Sequence, residues 1–284
     1  MLLNLGSINV DHVYRVPHLP APGETLEALA YAVGLGGKGA NQSVAAARAG
    51  ARVRHIGAVG PEGLWAREAM AGHGVDVTHV AVGAEPTGHA IINVDPAGEN
   101  AIVIYPGANR TLSESAVAAA LGDAGPGDTL LLQNETSAQV EAARLARARG
   151  LRVICSAAPF DVAAVRAVLP YASLLVMNEG EAAALRAALG AVEVEMIVTL
   201  GARGAVWLSP GADPLEVAAV PVTPVDTVGA GDCFTGNLAA ALDAGLPRPQ
   251  AMRRAAAAAA LQVTRPGAAE AMPLAAEVTA LLAR

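Results

Sequence analysis

The chain has 284 residues and a net charge of −7, from 19 basic and 26 acidic side chains, and it contains no basic tract, so nucleic acid is not expected as a standing partner. The two cysteines are too few for a disulfide framework, the six histidines show no metal-ligand spacing, and the longest apolar run, residues 255–261, is far too short to span a membrane. Nothing at the N-terminus reads as a signal peptide, so we expect a soluble, cytoplasmic protein with one large α/β domain or one domain and a small appendage.

The first predicted element is a short apolar strand at residues 1–5, which ends at Gly6. Two polar residues, Asn9 and Asp11, follow at the place where an α/β strand would end. Ligands bind beyond the carboxyl ends of such strands, so these side chains are candidates for holding a substrate. A turn that happens to be polar is the alternative.

Two extended segments come next in this interpretation. Residues 26–33 follow a stretch broken by prolines, and residues 88–94 and 99–105 flank the turn at 95–98 as a β-hairpin. The hairpin is apolar on both faces, which a small sheet covered on one side would not need. A second subunit that covers the outer face would explain this pattern.

A glycine-rich loop at residues 34–39 contains Lys38, the only lysine of the chain. Since every other basic residue is arginine, this position indicates a need for a compact ammonium group. The loop also matches the G-x-G-x-x-G spacing of dinucleotide sites, but it does not follow the first core strand, so we reject a dehydrogenase. A helix is predicted at residues 41–49, and a pure packing role for the glycines is the alternative.

The middle of the chain alternates strands and helices, which predicts a mostly parallel sheet with helices on both faces. The fold class is therefore a three-layer, doubly wound α/β architecture. Strands are predicted at residues 53–59, 130–132, 152–155 and 174–177 and just before residue 199. Helices are predicted at 61–71, 111–121, 138–149, 178–189 and 250–263, and the helix at 111–121 opens on a capping box at 111–114.

A second glycine-rich turn, residues 228–231, lies between Asp226 and Asp232, and a helical pattern opens directly after it. Small residues let backbone N–H groups approach a ligand closely, and the helix N-terminus adds unpaired donors, so the turn is a candidate anion site. A carboxylate on the rim of such a site is repelled by the anion. Proton removal from an attacking hydroxyl would explain Asp232 there, and an ordinary N-cap is the alternative.

Three more polar segments follow predicted strands. Glu135 lies at the end of one strand, where it is a candidate ligand, and an acid in a solvated loop is the alternative. Asn178 and Glu181 have the spacing of an N-cap and N3 pair, which suffices to explain them without a ligand. Residues 199–204 form a glycine turn after a further strand.

The two glycine-rich motifs together resemble the signatures of the ribokinase family of carbohydrate and nucleoside kinases. They are Gly36-Gly37-Lys38-Gly39-Ala40-Asn41-Gln42 and Asp226-Thr227-Val228-Gly229-Ala230-Gly231-Asp232-Cys233-Phe234-Thr235-Gly236, in the family's order and roughly 190 residues apart. The resemblance extends from Gly6 to Ala268. It implies an ATP- and Mg²⁺-dependent sugar kinase with a ribokinase-like fold over residues 1–284. It further implies a β-sheet lid at about 13–34 and 87–107, through which a homodimer is expected.

The resemblance also implies roles for single residues. Asp232 would be the general base, and the N–H groups of Gly229, Ala230 and Gly231 would hold the developing charge. D-ribose is the favoured acceptor, to be held by Asn9, Asp11, Gly37, Lys38, Asn41, Glu135 and Asp232. The nucleotide is expected to contact Asn178, Thr199, Gly201, Gly204 and Gly231.

Other substrates remain open, because kinases of fructose, sugar phosphates or nucleosides carry nearly the same signatures. A sugar-phosphate kinase would add basic residues around the pocket, and the predicted lid is poor in them. A non-catalytic sugar sensor is a further alternative. Such a sensor would not require Asp232, since binding alone needs no base.

Two cations follow from the resemblance. Glu181 would hold Mg²⁺ through water. K⁺ would lie at Asp226 and the carbonyl groups of Val228, Val263 and Gly267.

Two positions depart from the family pattern. Ala271 stands where some relatives offer a serine hydroxyl to the monovalent cation, so K⁺ activation is expected to be weak and poorly selective over Na⁺. The alternative is that Asp226 only caps its turn and no cation binds. Ala256 stands where ribokinases often have a polar residue near the nucleotide, which leaves base selectivity open.

Overall fold

A computed structural model describes residues 1–283 of the chain, in which two β-sheets and a set of helices surround a single cleft. The strands are β1 (Leu2–Leu5), β2 (Asn9–Arg15), β3 (Ala30–Gly36), β4 (Val53–Val59), β5 (Val75–Val82), β6 (Gly88–Val94), β7 (Asn100–Tyr105), β8 (Thr129–Gln133), β9 (Arg152–Ser156), β10 (Leu174–Asn178), β11 (Glu195–Thr199), β12 (Ala205–Leu208) and β13 (Leu215–Val217). The α-helices are α1 (Lys38–Arg48), α2 (Leu64–Gly72), α3 (Glu114–Ala120), α4 (Gln139–Ala148), α5 (Val162–Val168), α6 (Glu179–Leu189), α7 (Ala230–Asp243), α8 (Arg248–Gln262) and α9 (Ala275–Leu282).

The larger sheet has the strand order β13-β12-β11-β10-β9-β8-β1-β4-β5. Its strands run parallel from β5 to β11, and only β12 runs in the opposite direction, antiparallel to both β11 and β13. The inner strands β1 and β8 are buried along their whole length, as expected for parallel strands covered on both faces. The prediction of a mostly parallel, doubly wound α/β fold is confirmed.

Two hydrophobic cores lie on opposite faces of this sheet, which makes the three layers. One contains side chains of α1, α7 and α8, and the other contains side chains of α3 to α6. Helices α1 and α7 approach very closely, because a Cβ atom at Gly236 would lie 2.5 Å from the carbonyl oxygen of Gln42. Glycine at this position therefore lets the beginnings of the two helices face the same point.

The smaller sheet has the order β3-β2-β6-β7 and corresponds to the expected lid. Strand β2 starts only three residues after β1, so Asn9 and Asp11 lie on a lid strand that leaves the edge of the main sheet. It pairs in parallel with β6 and antiparallel with β3. Two segments far apart in the sequence thus form one cover.

Several predicted boundaries were wrong. Helix α1 begins at Lys38 instead of residue 41, because Gly37 turns the chain at φ +90° and its carbonyl accepts the N–H of Asn41. Helix α3 is capped by Ser113, whose hydroxyl accepts the N–H of Ala116, and not by the predicted Thr111. The Thr111 hydroxyl instead donates to the carbonyl of Ala108.

Two more boundaries moved, and some elements were not predicted. Lid strand β3 begins at Ala30 instead of residue 26, and a 3₁₀ turn at Pro61–Gly63 precedes α2. The sequence did not predict β5, α5, β12, β13 or α9. Within residues 1–283, no helix has the length and apolar character needed to cross a bilayer.

Candidate active site

The two glycine-rich motifs meet at one point of the cleft, beside the carboxyl end of β1. Helix α1 begins inside the first motif, at Lys38, and helix α7 begins inside the second, at Ala230. Their contact is direct, since Asn41 and Gln42 in α1 both donate hydrogen bonds to the Asp232 carboxylate in the first turn of α7. The sequence motifs therefore form a single site, although about 190 residues separate them.

Asp232 is held by two amide groups, with 3.1 Å from Asn41 Nδ2 to Oδ2 and 2.9 Å from Gln42 Nε2 to Oδ1. Burial raises the pKa of Asp232 above its usual value, although the Lys38 ammonium and the two amides act in the opposite direction. A carboxylate with a raised pKa is a better proton acceptor near neutral pH.

A chain of buried polar side chains fixes the orientation of Gln42. Gln133 Nε2 donates to Gln42 Oε1 at 2.7 Å and to Asn4 Oδ1 at 2.9 Å, and Asn4 Nδ2 donates to Ser43 Oγ at 2.9 Å. The chain ends at His55, whose Nδ1 lies 2.8 Å from Ser43 Oγ and whose Nε2 lies 3.0 Å from the Gly6 carbonyl.

The donors and acceptors of this chain have only one consistent assignment. The Gly6 carbonyl can only accept, so His55 Nε2 carries the proton and Nδ1 accepts from Ser43. Burial lowers the pKa of His55 to about 4, which agrees with a neutral ring. The Gln42 oxygen is therefore committed to Gln133, and its nitrogen must point at Asp232.

The turn in front of Asp232 exposes backbone donors. Gly229 has φ +80°, a left-handed conformation that glycine adopts without strain, and α7 starts directly after it. Among the described residues 1–283, no acceptor takes the N–H of Gly231 or Asp232, whereas the N–H of Ala230 bonds weakly to Thr227 O at 3.3 Å. Free donors at a helix N-terminus are the features from which an anion site was predicted here.

Asp11 lies on the face of the lid that looks into the cleft. Its carboxyl group rests on Gly36, where a Cβ atom would lie 2.1 Å from Oδ2, so a larger residue at 36 would displace this carboxyl group. Burial, followed by the charge of Glu135, raises the pKa of Asp11 to about 6. Four carboxylates, those of Asp232, Glu135, Glu181 and Asp11, raise the pKa of Lys38 against the effect of its burial, so it stays charged.

The remaining predicted sugar ligands surround the same space but are partly engaged. Glu135 accepts the Ser7 hydroxyl and, at 3.3 Å, the N–H of Lys38, so it also caps the start of α1. The side-chain oxygen of Asn9 accepts a hydrogen bond of 2.8 Å from Asn109, which leaves the Asn9 amide nitrogen to contact a ligand. Asn109 also accepts the N–H of Ile8, so it fixes the link between β1 and the lid.

An apolar cavity of about 550 Å³ opens on the other side of the turn, next to Gly231. It contains Thr199, Gly201 and Gly204, three of the other residues predicted to contact a nucleotide, and it also contains Ala256. The remaining walls include residues of α8, the helix predicted at residues 250–263. They are formed by Ala202, Ala219, Val220, Pro221, Val222, Pro224, Thr227, Ala230, Phe234, Ala259, Ala260 and Val263.

Asn178 and Glu181 form a capping box at the start of α6, with reciprocal bonds of 2.8 and 2.9 Å, so the structural explanation of this pair is correct. The cap uses one Glu181 oxygen, and the carboxylate is close enough to raise the pKa of Lys38 in the cleft. The second oxygen is compatible with a water-mediated Mg²⁺ contact. No group of three or more His, Cys, Asp or Glu side chains in residues 1–283 could hold a metal directly.

The predicted K⁺ ligands do not fit a cation, because N–H donors already bind them. The Asp226 carboxylate accepts the N–H groups of Val228 and Gly267 at 2.9 and 3.0 Å, and the Val263 carbonyl accepts the N–H of Asp226. The carbonyl oxygens of Val228 and Gly267 both accept from the side chain of Gln262. Ala271 is buried and has no polar side-chain atom to add.

The sequence thus missed several residues that shape the site. Gln42 lies inside the first motif, directly after Asn41, so the motif itself could have identified it as a site residue. For Gln133, Asn109 and Gln262 the sequence has no local signal, because their partners come from strands and loops far away in the chain.

Comparisons with known proteins agree with this geometry. Residues 1–275 match the family described as pfkB family carbohydrate kinase. The chain is similar to a ribokinase of Haemophilus influenzae, with 38% identity over 289 residues that cover 95% of this chain and 94% of the relative.

Solved structures show the same relationship. A ribokinase from Thermotoga maritima has a TM-score of 0.89 and 32% identity, covering 100% of this chain and 99% of its own. An Arabidopsis thaliana ribokinase complexed with ribose and ATP has a TM-score of 0.87 and 30% identity, and the match covers 99% of this chain and 98% of the ribokinase. The resemblance read from the two motifs is confirmed, and the chain belongs to the pfkB family of carbohydrate kinases.

Proposed function

We propose that this kinase transfers the γ-phosphoryl group of ATP to the primary hydroxyl of D-ribose and releases ribose 5-phosphate and ADP. The observation that carries the proposal is the position of Asp232, which lies beside free N–H donors and close enough to Lys38 for the ammonium to lower its pKa against the effect of burial. The similarity to ribokinases, one of them complexed with ribose and ATP, supports this choice of substrates.

Asp232 acts as the general base in this reaction. Its carboxylate takes the proton of the sugar hydroxyl while the oxygen attacks the γ-phosphorus and the bond to the ADP oxygen breaks. The N–H groups of Gly231 and Asp232 point at the charge that develops on the transferred phosphoryl group, where fixed dipoles are most effective. Gly229 and Ala230 provide the turn that aims these donors.

The sugar lies under the lid in this proposal. The Asp11 carboxylate accepts two hydroxyl groups, Asn41 and Glu135 contact others, and the Asn9 amide and the backbone of Gly37 complete the set. The ammonium of Lys38 offsets part of the negative charge of Asp11, Glu135 and Asp232. Closure of the lid excludes water, which would otherwise compete with the sugar for ATP.

The apolar cavity behind the turn suits the adenine ring and its ribose. Thr199, Gly201 and Gly204 line its mouth and Gly231 joins it to the phosphate site. Mg²⁺ bound to the phosphates, with Glu181 and Asn178 beyond a water shell, would neutralise the charge of the triphosphate. ATP and Mg²⁺ are abundant in the cytoplasm, where we propose that this enzyme works. The monovalent cation expected from the sequence is left out, because its predicted ligands are already bonded.

We further propose that residues 1–284 form one kinase domain, with lid segments at about 13–34 and 87–107, and that two copies pair through the lid. Ile102 and Ile104 share the face of Asp11 and are more than half exposed. Val103 and Val33 are exposed on the opposite face, next to His12. Apolar side chains on both faces are typical of an interface.

One assay tests the substrate. ADP release from MgATP is measured with D-ribose, 2-deoxy-D-ribose, D-fructose, fructose 6-phosphate and adenosine, and the product is identified by mass spectrometry. Ribose should give the highest kcat/KM. A clear preference for adenosine or for a sugar phosphate would contradict the ribose assignment, and ATP turnover that no acceptor stimulates would contradict the kinase proposal.

A further inference from the structure

Two loops behind the anion site are tied together by hydrogen bonds. Residues 225–229 lead into the turn, and residues 263–267 follow α8. The carboxylate of Asp226 accepts one N–H from each loop, those of Val228 and Gly267. The Val263 carbonyl accepts the N–H groups of Val225 and Asp226 at 2.7 and 3.1 Å. The position of the turn therefore depends on the second loop.

Gln262, the last residue of α8, adds a further connection at the centre of this contact. Its side chain is fully buried, and its Nε2 atom donates to the Val228 carbonyl at 2.7 Å and to the Gly267 carbonyl at 3.1 Å. Its Oε1 atom has no hydrogen-bond partner among residues 1–283. Turning the amide over would bring that oxygen against two carbonyl oxygens, so the two acceptors determine its orientation.

This arrangement occupies the place where a shared cation would lie. A cation held by the Val228 and Gly267 carbonyls has to sit between them, and that is where Nε2 donates its two protons. The partial positive charge of the amide hydrogens would repel a cation at the same point. We propose that the Gln262 amide replaces the monovalent cation, so that the anion-binding turn of this kinase is ordered without K⁺.

Gln262 acts on the reaction through the backbone and does not touch the substrate. The Val228 carbonyl belongs to the peptide group that carries the N–H of Gly229, where the left-handed turn begins. Holding this peptide plane fixes the direction of the N–H groups that follow, those of Gly231 and Asp232. Gln262 is thus a positioning residue. Its effect on the rate presupposes the proposed kinase function, whereas its ordering of the two loops does not.

Substitution of Gln262 tests the replacement. The wild-type enzyme should have the same kcat/KM for MgATP in choline, sodium and potassium chloride at matched ionic strength. Gln262→Ala removes both hydrogen bonds and leaves room between the carbonyls. In choline chloride its kcat/KM should fall roughly 10-fold, the size expected for two net hydrogen bonds, and KCl should restore most of this loss. Gln262→Met fills the space without supplying donors, so KCl should not restore its kcat/KM.

A second readout is independent of catalysis. The melting temperature is measured in the three salts, with Gln250→Ala, an exposed glutamine of the same helix, as the matched control. KCl should raise the melting temperature of Gln262→Ala by several degrees over choline chloride, and should leave the wild type and the control unchanged. A K⁺-specific rise in rate or melting temperature for the wild type would overturn the proposal, as would a Gln262→Ala variant that behaves like the wild type in every salt. Absence of kinase activity would refute the proposed function alone, because the melting data would still decide the role of Gln262.

Discussion

Replacing Asp232 by asparagine separates the chemistry of its carboxylate from its contacts. In the wild type, Asn41 and Gln42 donate to different oxygens of the same carboxylate. An asparagine at 232 has one oxygen and one NH₂ group. One of the two amide donors, from Asn41 or Gln42, would therefore face the new NH₂ group and lose its acceptor. Gln42 cannot turn over, because its oxygen is bonded to Gln133. Asn41 can, since its own oxygen has no partner among residues 1–283.

The variant should therefore keep its fold and lose its rate. Loss of a general base lowers kcat about 10²–10⁴-fold, which corresponds to about 2.7–5.5 kcal/mol of transition-state stabilisation. Stability should be preserved, because the raised pKa of Asp232 means that the folded state disfavours its charge above the unfolded pKa of 3.8. A neutral side chain of the same shape removes that cost at pH 7.

Three measurements on the same protein decide the outcome. Steady-state ADP release gives kcat, calorimetric titration with D-ribose and with MgADP gives the two affinities, and thermal unfolding reports the fold. We expect a kcat at least 100-fold lower, melting within a few degrees of the wild type, and ribose affinity largely retained. A variant with a tenth of the wild-type kcat would refute the assignment of Asp232 as the base.

The remaining predictions concern the sugar ligand, the support of the base and the lid. Because the pKa of Asp11 is raised to about 6 and its charged form accepts the sugar, ribose affinity measured by calorimetry should fall as the pH drops below about 6. Asp11→Asn should remove this pH dependence. A wild-type affinity that does not change with pH would contradict the prediction. Gln42→Leu removes a donor that favours the charged form of Asp232, so the fall of kcat at acidic pH should begin at a higher pH, with a stability loss of about 2–4 kcal/mol. The control Gln139→Leu should lower stability without changing the pH dependence of kcat. An unchanged pH dependence in Gln42→Leu would exclude the role of Gln42. Val103→Asp should give monomers with weaker ribose binding, whereas Val82→Asp, at a valine that is also exposed but lies off the lid, should not. A monomeric wild type at micromolar concentration in sedimentation would refute the dimer proposal.

What the sequence could predict is set by how local the interactions are. The anion turn was predictable, because Gly229 and the helix start behind it form a continuous segment with its own geometric signal. The capping box of Asn178 and Glu181 was predictable for the same reason. Thr111 misled the prediction of α3, since threonine and serine two residues apart both qualify as caps and only the packed structure decides in favour of Ser113.

Interactions across the fold had no such signal. Gln133 and His55 look like ordinary strand residues, and their role depends on β1, β4 and β8 lying side by side with α1 above them. The antiparallel edge strands β12 and β13 are short, and no period in the sequence separates them from loops. The carbonyls of Val228 and Gly267 share one amide donor, and that donor depends on a single side chain of α8.

The alanine-rich sequence of α8 connects the apolar cavity, where we propose that the nucleotide binds, to the turn at residues 228–231. Ala256, Ala259 and Ala260 line the cavity, and a larger side chain at any of them would reduce its volume. Within one turn of Ala259 the same helix ends at Gln262, whose amide holds the Val228 carbonyl. A shift of α8 along its axis would therefore change the shape of the cavity and the direction of the N–H groups at Gly231 together. Methyl groups make this coupling rigid, because they pack α8 closely against α7 and have no rotamers to absorb a displacement.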